Sequence, residues 1–119
     1  DRAELVGHAL RLGDLRGVNL KNARLNNADL RNVNLRPLYF DDKRSMRSDL
    51  AGARMRYADL RGSSLREVNF AGADLSFANL IGCDLAKADF SHARMFGAKL
   101  ERKALMDGVI LDGVAGLKL

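Results

Sequence analysis

Residues 23–35 read ARLNNADLRNVNL, and a leucine stands at every fifth position, at Leu25, Leu30 and Leu35. A small apolar residue precedes each leucine by two places. Five residues turn an α-helix through about 500°, so successive leucines on a helix would point in different directions. A flat strand does not fit either, because its side chains alternate between two faces. We therefore expect a backbone that turns a corner once per repeat and directs the small and the large residue inward.

The five-residue pattern extends over almost the whole chain. Large apolar residues, mostly leucine, hold the central position from Leu5 to Phe40 and again from Leu50 to Leu100. Asp or Asn often stands just before the central residue, where its side chain can accept hydrogen bonds from backbone N–H groups at a corner. The pattern predicts one domain over residues 1–119, built from a unit that stacks on itself.

Residues 71–90, AGADLSFANLIGCDLAKADF, resemble the pentapeptide-repeat family, whose unit is Ala-Asp/Asn-Leu-x-x. The resemblance implies an all-β fold, a right-handed quadrilateral parallel β-helix with four repeats per coil. Successive coils would then stack at the strand spacing of roughly 4.7–4.9 Å, with the central Leu or Phe on the axis.

One segment departs from the pattern at residues 41–47, DDKRSMR. Lys43 would fall in the small inward position and Ser45 in the central one, and an unpaired buried lysine is costly. We therefore expect this segment to bulge outward, with Met46 filling the core. Because the flanking central residues are still two whole repeats apart, the frame survives, and we expect the bulge to take up one face of a coil.

The two ends of the repeat region also depart from a regular solenoid. Near residues 101–103 the pattern moves by one residue, to Ala104 and Met106, which one inserted residue explains before the C-terminal repeats and cap. The repeat begins by about residue 3, and a solenoid end needs a cap. We expect either upstream sequence, with this chain a fragment of a longer one, or a homodimer contact through the uncapped end.

The composition and motifs indicate a protein without catalytic, cofactor or metal residues. Cys83 replaces an alanine of the core row, so it fits a small buried residue, and a single cysteine favours a reducing, cytoplasmic location. His8 and His92 lie far apart and lack metal-ligand spacing, and the glycines form no phosphate-binding loop. No apolar run has the length of a membrane helix.

The net charge of +5 is concentrated in the N-terminal half, where residues 1–66 hold 14 basic and 8 acidic residues. With twenty residues per coil, Arg16, Arg36 and Arg56 would form one column, provided that the 41–47 bulge takes up one face. Two interpretations stay open: a solvated basic wall, or a docking strip for an acidic partner or for phosphates.

The same face carries aromatic residues further along the chain. Tyr57 and Phe77 are expected to stack as outward residues, with Phe96 one coil further and Ile81 at an adjacent corner. Exposed aromatics indicate either a protein-binding patch or coverage by the C-terminal segment. The candidate binding residues are Arg11, Arg16, Arg31, Arg36, Arg54, Arg56, Tyr57, Phe77 and Phe96, with Lys43, Arg44, Met46 and Arg47 in the loop.

These features favour a non-enzymatic scaffold that binds a protein partner, with an acidic surface, through a basic and aromatic face. The family resemblance implies an alternative, a DNA mimic that modulates a type II topoisomerase such as DNA gyrase. The quinolone-protection members of the family carry an outward loop comparable to 41–47, which favours this alternative. DNA mimicry needs an acidic column, however, whereas this chain is basic. A second alternative is binding of nucleic acid or membrane through the arginine column. Nucleic acid is less favoured, since no aromatic residues interleave with these arginines.

Overall fold

Residues 13–118, which the computed structural model describes, wind into a four-sided parallel β-helix. Residues twenty apart form parallel β-bridges, as Asp49 does with Asn69 and Asn69 does with Asp89. Hydrogen bonds run both ways along the axis: Asn69 N–H donates to the Ser48 carbonyl at 3.0 Å, and Leu50 N–H donates to the Asn69 carbonyl at 2.8 Å. Each coil therefore satisfies the backbone of its neighbours, and the expected quadrilateral β-helix is confirmed.

The bridges define four faces, which follow one another along the chain and are separated by corners. Each face is a column of residues that stand just before the central position of their repeats. Face 1 comprises Asp14, Asn34, Ser64 and Asp84; face 2 comprises Asn19, Asp49, Asn69, Asp89 and Ile110; face 3 comprises Arg24, Arg54, Asp74, Arg94 and Ala115; face 4 comprises Asp29, Asp59, Asn79 and Lys99.

The central residues fill the axis as the repeat predicts. The central residues from Leu50 to Met95 are fully buried, and the small residues two places earlier complete the interior. The rings of Phe70 and Phe90 stack on the axis, with centroids 5.0 Å apart and an interplanar angle of 4°. Burying large apolar side chains in successive layers supplies the main stabilisation of such a solenoid.

A short hairpin projects from the corner between faces 1 and 2. Its strands, β1 (Leu38–Tyr39) and β2 (Ser45–Met46), pair antiparallel. The Asp41 carboxylate closes the turn by accepting hydrogen bonds from the N–H groups of Lys43 and Arg44, both at 2.8 Å. The Tyr39 hydroxyl donates to the Glu67 carboxylate at 3.0 Å, which ties the hairpin to the following coil.

The hairpin takes up no face of the coil. Bridges step by thirty residues across it, as from Asn19 to Asp49 and from Asn34 to Ser64, where the other coils step by twenty. Residues 38–47 therefore lie outside the solenoid frame. The expectation that the bulge replaces one face is wrong, because two whole repeats are extruded together.

Met46 does not fill the core, as the sequence had suggested, because it lies in the projecting strand and is 50% exposed.

At the C-terminal end the bridge step changes to 21, from Asp89 to Ile110. The extra residue falls in the stretch that contains a 3₁₀ helix, Arg102–Leu105. Leu105 packs against the core, whereas Met106 is 77% exposed, so the predicted inward position of Met106 is wrong. The predictions for the N-terminal end, including His8 and Arg11, lie outside the described residues.

Candidate binding surface

The predicted column of Arg16, Arg36 and Arg56 is wrong at its third member. Arg16 and Arg36 stand on adjacent coils, where Gly17 N–H donates to the Arg36 carbonyl at 3.2 Å. The next coil places Arg66 in this column, because the bridge from Asn34 leads to Ser64. The extruded hairpin shifts all later residues by two faces relative to a count of twenty.

Arg56 lies at the diagonally opposite corner, after face 3. Its backbone N–H donates to the Asn26 side-chain oxygen of the preceding coil at 2.9 Å, and the Arg56 carbonyl accepts from Asn27 N–H at 2.9 Å. Arg54, on face 3 itself, flanks Arg56 as predicted. The two ends of the expected site are therefore separated by the width of the solenoid.

The arginines of the first column are paired with carboxylates. Arg16 Nε lies 3.0 Å from Asp14 Oδ1, and its hydrogen bond lowers the pKa of Asp14. Arg66 lies 3.1 Å and Arg36 3.6 Å from the same Asp84 oxygen. This local compensation favours the solvated-wall interpretation for the column Arg16, Arg36 and Arg66.

The corner after face 4 is neutralised in the same way. Arg31 lies 2.8 Å from Asp29, and Arg61 lies 2.6 Å from Asp59, each carboxylate standing two places before its arginine. The hydrogen bond from Arg31 lowers the pKa of Asp29 to about 2. Arg31, a predicted binding residue, is thus paired within its own repeat.

The aromatic column lies at the corner after face 3. The predicted stacking of Tyr57 and Phe77 is confirmed, with ring centroids 5.0 Å apart and an interplanar angle of 14°. Tyr57 is 57% exposed, Phe77 43% and Phe96 42%. The C-terminal segment contributes Gly116 beside the Phe96 ring but leaves all three rings accessible.

Guanidinium groups accompany these rings. The Arg56 guanidinium lies 5.4 Å from the Phe77 centroid, and the Arg94 guanidinium lies 5.2 Å from the Phe96 centroid, both within cation–π range. Arg56 also lies 3.4 Å from Asp74. Burial acts to raise the pKa of Asp74, but hydrogen bonds from Ser76 and Arg56 outweigh it and lower the pKa.

Face 3 adds two residues that the sequence interpretation missed, Arg24 and Arg94. Within residues 13–118, Arg24, Arg54 and Arg94 form no ion pair with a carboxylate. The available signal was arginine in place of the usual Asp or Asn before the central residue. The thirty-residue step from Arg24 to Arg54 concealed their adjacency. We call the following set the Arg-aromatic surface: Arg24, Arg54, Arg56, Tyr57, Asp74, Phe77, Arg94 and Phe96.

The loop residues are not part of this surface. Lys43, Arg44, Met46 and Arg47 are exposed on the hairpin, at the corner diagonal to the aromatic column. Arg44 pairs with Asp41 at 2.8 Å, and Arg47 Nε donates to the Glu67 carbonyl at 2.8 Å.

The buried cysteine is hydrogen-bonded to the backbone and is not a nucleophile. The Cys83 thiol donates to the Leu60 carbonyl at 2.9 Å, and burial raises its pKa to about 11. A thiol in this state carries almost no thiolate at neutral pH, which is the nucleophilic form. No cluster of His, Cys, Asp and Glu side chains suited to a metal ion occurs within residues 13–118.

Comparison with known proteins assigns the chain to a family. The family described as "Pentapeptide repeats (8 copies)" matches residues 9–36, 46–80 and 63–102. The chain therefore belongs to the pentapeptide-repeat family, and its fold is the right-handed quadrilateral β-helix. The gap between the first two matched stretches, residues 37–45, overlaps the hairpin.

Several solved structures are similar to this chain. A pentapeptide repeat protein of the Arabidopsis thaliana thylakoid lumen is 21% identical, with a TM-score of 0.41, and the alignment covers 91% of this chain and 64% of that one. HetL of Nostoc sp. strain PCC 7120, involved in heterocyst differentiation regulation, is 28% identical, with a TM-score of 0.31 and coverage of 86% and 56%. QnrB1, a plasmid-mediated fluoroquinolone resistance protein, is 19% identical, with a TM-score of 0.39 and coverage of 85% and 56%.

This chain therefore spans between 56% and 64% of the length of those three proteins. No curated protein matches it significantly. Among the residues that the structure describes, no helix has the length and apolar character needed to cross a membrane.

Proposed function

We propose that this pentapeptide-repeat protein is a non-enzymatic, cytoplasmic scaffold that binds a partner protein through the Arg-aromatic surface. The observation that carries the proposal is the conformation of Tyr57 and Phe77. Both are exposed aromatic residues, and both have left-handed backbones, with φ of 61° and 63°. The family resemblance supports the scaffold part of the proposal, since a solenoid filled by its own side chains offers its outside for binding.

The fold itself does not require aromatic rings at these positions. Asn27, in the preceding coil of the same column, adopts the same left-handed backbone conformation, with φ of 63°. Asparagine and glycine tolerate this conformation well, whereas for a bulky residue it costs on the order of 1–2 kcal/mol. Ring stacking returns only about 0.5–1.5 kcal/mol per pair. Because Tyr57 and Phe77 contribute so little to the stability of the fold, a role in binding explains them better.

The residue types favour a protein partner. Tyr, Phe and Arg are enriched at protein interfaces, where aromatic anchors and guanidinium groups contribute much of the binding energy. The rings form a column along an outer corner of the solenoid, and such a convex corner suits a macromolecular partner better than a small molecule, which needs a concave site.

Capture from cell lysate on the immobilised protein tests the proposal. A Tyr57→Asn/Phe77→Asn variant should lose proteins that the wild type retains, while its thermal stability is unchanged or higher. The matched control is Lys87→Asn/His92→Asn, which makes the same exchange at left-handed positions of other corners. If the same proteins are retained by both variants, the assignment of this surface is wrong.

The topoisomerase alternative gains no comparable support. The carboxylates at the bridge positions of Asp14, Asp29, Asp59 and Asp84 are paired with arginines, which cancels the acidic column that DNA mimicry needs. It stays a prediction, and a gyrase supercoiling assay with the purified protein tests it.

A further inference from the structure

We infer that the partner segment which docks on the Arg-aromatic surface is a carboxylate-rich, extended stretch of polypeptide. This inference rests on the proposed function and names the chemistry of the partner. Three features of the surface support it: unpaired guanidinium groups, the orientation of the stacked rings, and the linear arrangement of both along the solenoid axis.

Face 3 differs from faces 1 and 4, where an aspartate just before the central residue pairs with the arginine two places later in three repeats: Asp14 with Arg16, Asp29 with Arg31 and Asp59 with Arg61. On face 3 the aspartate position is itself arginine in three of the four coils from Arg24 to Arg94, so this pairing cannot form. Arg24 and Arg54 even stand directly opposite each other, an arrangement of like charges that destabilises a sheet. A carboxylate-bearing partner would remove that repulsion.

Phe77 and Phe96 offer their ring edges rather than their ring faces. Phe77 lies between the Tyr57 ring of the preceding coil and Gly97 of the following one. Phe96 similarly contacts the Arg94 guanidinium and Gly116. The edge of an aromatic ring carries partial positive charge, so exposed edges suit carboxylates and apolar side chains.

This orientation distinguishes a peptide from a nucleic acid. At the corner after face 3, aromatic residues do lie beside arginines, as Phe77 does beside Arg56 and Phe96 beside Arg94. Single-stranded nucleic acid, however, binds aromatic residues by stacking its bases on open ring faces. The faces of Phe77 and Phe96 are already occupied by neighbouring groups of the same chain.

The groups run as two parallel columns. Arg24, Arg54 and Arg94 span four coils, or roughly 14 Å at the strand spacing. An extended chain rises about 3.3 Å per residue, so about five residues cover this length. A short linear segment laid along the axis can therefore reach the arginines with its carboxylates and the aromatic corner with its apolar side chains.

Fluorescence anisotropy with defined probes tests the inference on the full chain. The first probe is a labelled peptide of alternating Glu and Leu, and the second has Gln in place of Glu. A labelled oligothymidylate of similar length is the third. We expect the Glu peptide to bind about tenfold or more tightly than the other two, and its affinity to fall with added salt.

Two triple variants provide a charge-matched comparison. Arg24→Ser/Arg54→Ser/Arg94→Ser should weaken binding of the Glu peptide about tenfold or more. Arg16→Ser/Arg36→Ser/Arg66→Ser removes the same charge from the opposite corner and should leave binding almost unchanged. Equal losses in both variants, or equal affinity for the oligothymidylate, would overturn the inference. If the Glu peptide fails to bind while lysate capture still depends on Tyr57 and Phe77, the inference falls and the proposed function stands.

Discussion

Phe77 lies against Gly97 of the following coil so closely that a Cβ atom at position 97 would come within 2.6 Å of ring atom Cδ1. The absence of a side chain at this corner glycine thus leaves room for the side chain of the corresponding corner residue in the preceding coil. The exposed ring column of the Arg-aromatic surface is therefore held in place by the backbone of its neighbours. The same relationship joins Asn32 to Gly62, His92 to Gly113 and Phe96 to Gly116.

Replacing Gly97 with alanine should destabilise the protein and displace the Phe77 ring. The backbone at Gly97 has φ of 67°, which alone costs alanine about 1–2 kcal/mol. Gly72→Ala is the matched control, because Gly72 has φ of 68° but open space where its Cβ would stand. Chemical denaturation should therefore show a larger loss of unfolding free energy for Gly97→Ala. Equal losses would mean that the ring contact is unimportant.

Removing the hairpin should leave a folded solenoid. Deletion of 38–47 joins Leu35, Arg36 and Pro37 to Ser48, Asp49 and Leu50, which restores the five-residue step. The second corner residue elsewhere has a positive φ, which proline cannot adopt, so the deletion should be combined with Pro37→Gly. Circular dichroism should retain the wild-type β-signal with cooperative melting. The same deletion with Pro37 retained should melt at a lower temperature, and a non-cooperative melt of the glycine version would contradict the proposed frame.

Ser63→Ala should cost about 1–3 kcal/mol of unfolding free energy. The buried Ser63 hydroxyl accepts a hydrogen bond from Val33 N–H at 3.0 Å and donates to the Leu30 carbonyl. Alanine fits the position but leaves the Val33 N–H without this partner. The control is Ser45→Ala on the exposed hairpin strand, which should change stability by about 0.5 kcal/mol or less. Similar effects of the two substitutions in a urea titration would refute the role of Ser63.

Stability should fall as the pH is lowered from about 4 to about 2. Hydrogen bonds from the arginine two places later lower the pKa of Asp14, Asp29 and Asp59, for Asp29 to about 2. In the unfolded chain such carboxylates titrate near pH 4. The unfolded state therefore binds more protons in this interval, and acid favours unfolding. Melting temperatures across the interval measure the effect. An Asp29→Asn variant should show a shallower decline, whereas a wild-type melting temperature independent of pH would contradict the assignment.

Sequence reasoning succeeded wherever the relevant interaction lies within one repeat. The corner, the inward leucine and the burial of Cys83 follow from spacings of two to five residues. It failed at Met46, Met106 and Arg56, because each depends on how many residues leave or enter the coil at an irregular segment. The residues of a polar segment show that it projects outward. They do not show how many residues leave the coil, and that number sets the register of every later repeat.

The sequence by itself determined the repeat, the corner in each repeat and the filled axis, because periodic burial of small and large apolar residues is a local requirement; its resemblance to the pentapeptide-repeat family implied the four-sided β-helix. Only the tertiary structure decided which outward residues become neighbours. Parallel hydrogen bonds between coils set the register across the hairpin, and that register placed Arg24 beside Arg54 and separated Arg56 from Arg36. The hydrogen bonds between coils therefore decide that unpaired arginines lie beside the aromatic column. The sequence of a single repeat does not contain this information.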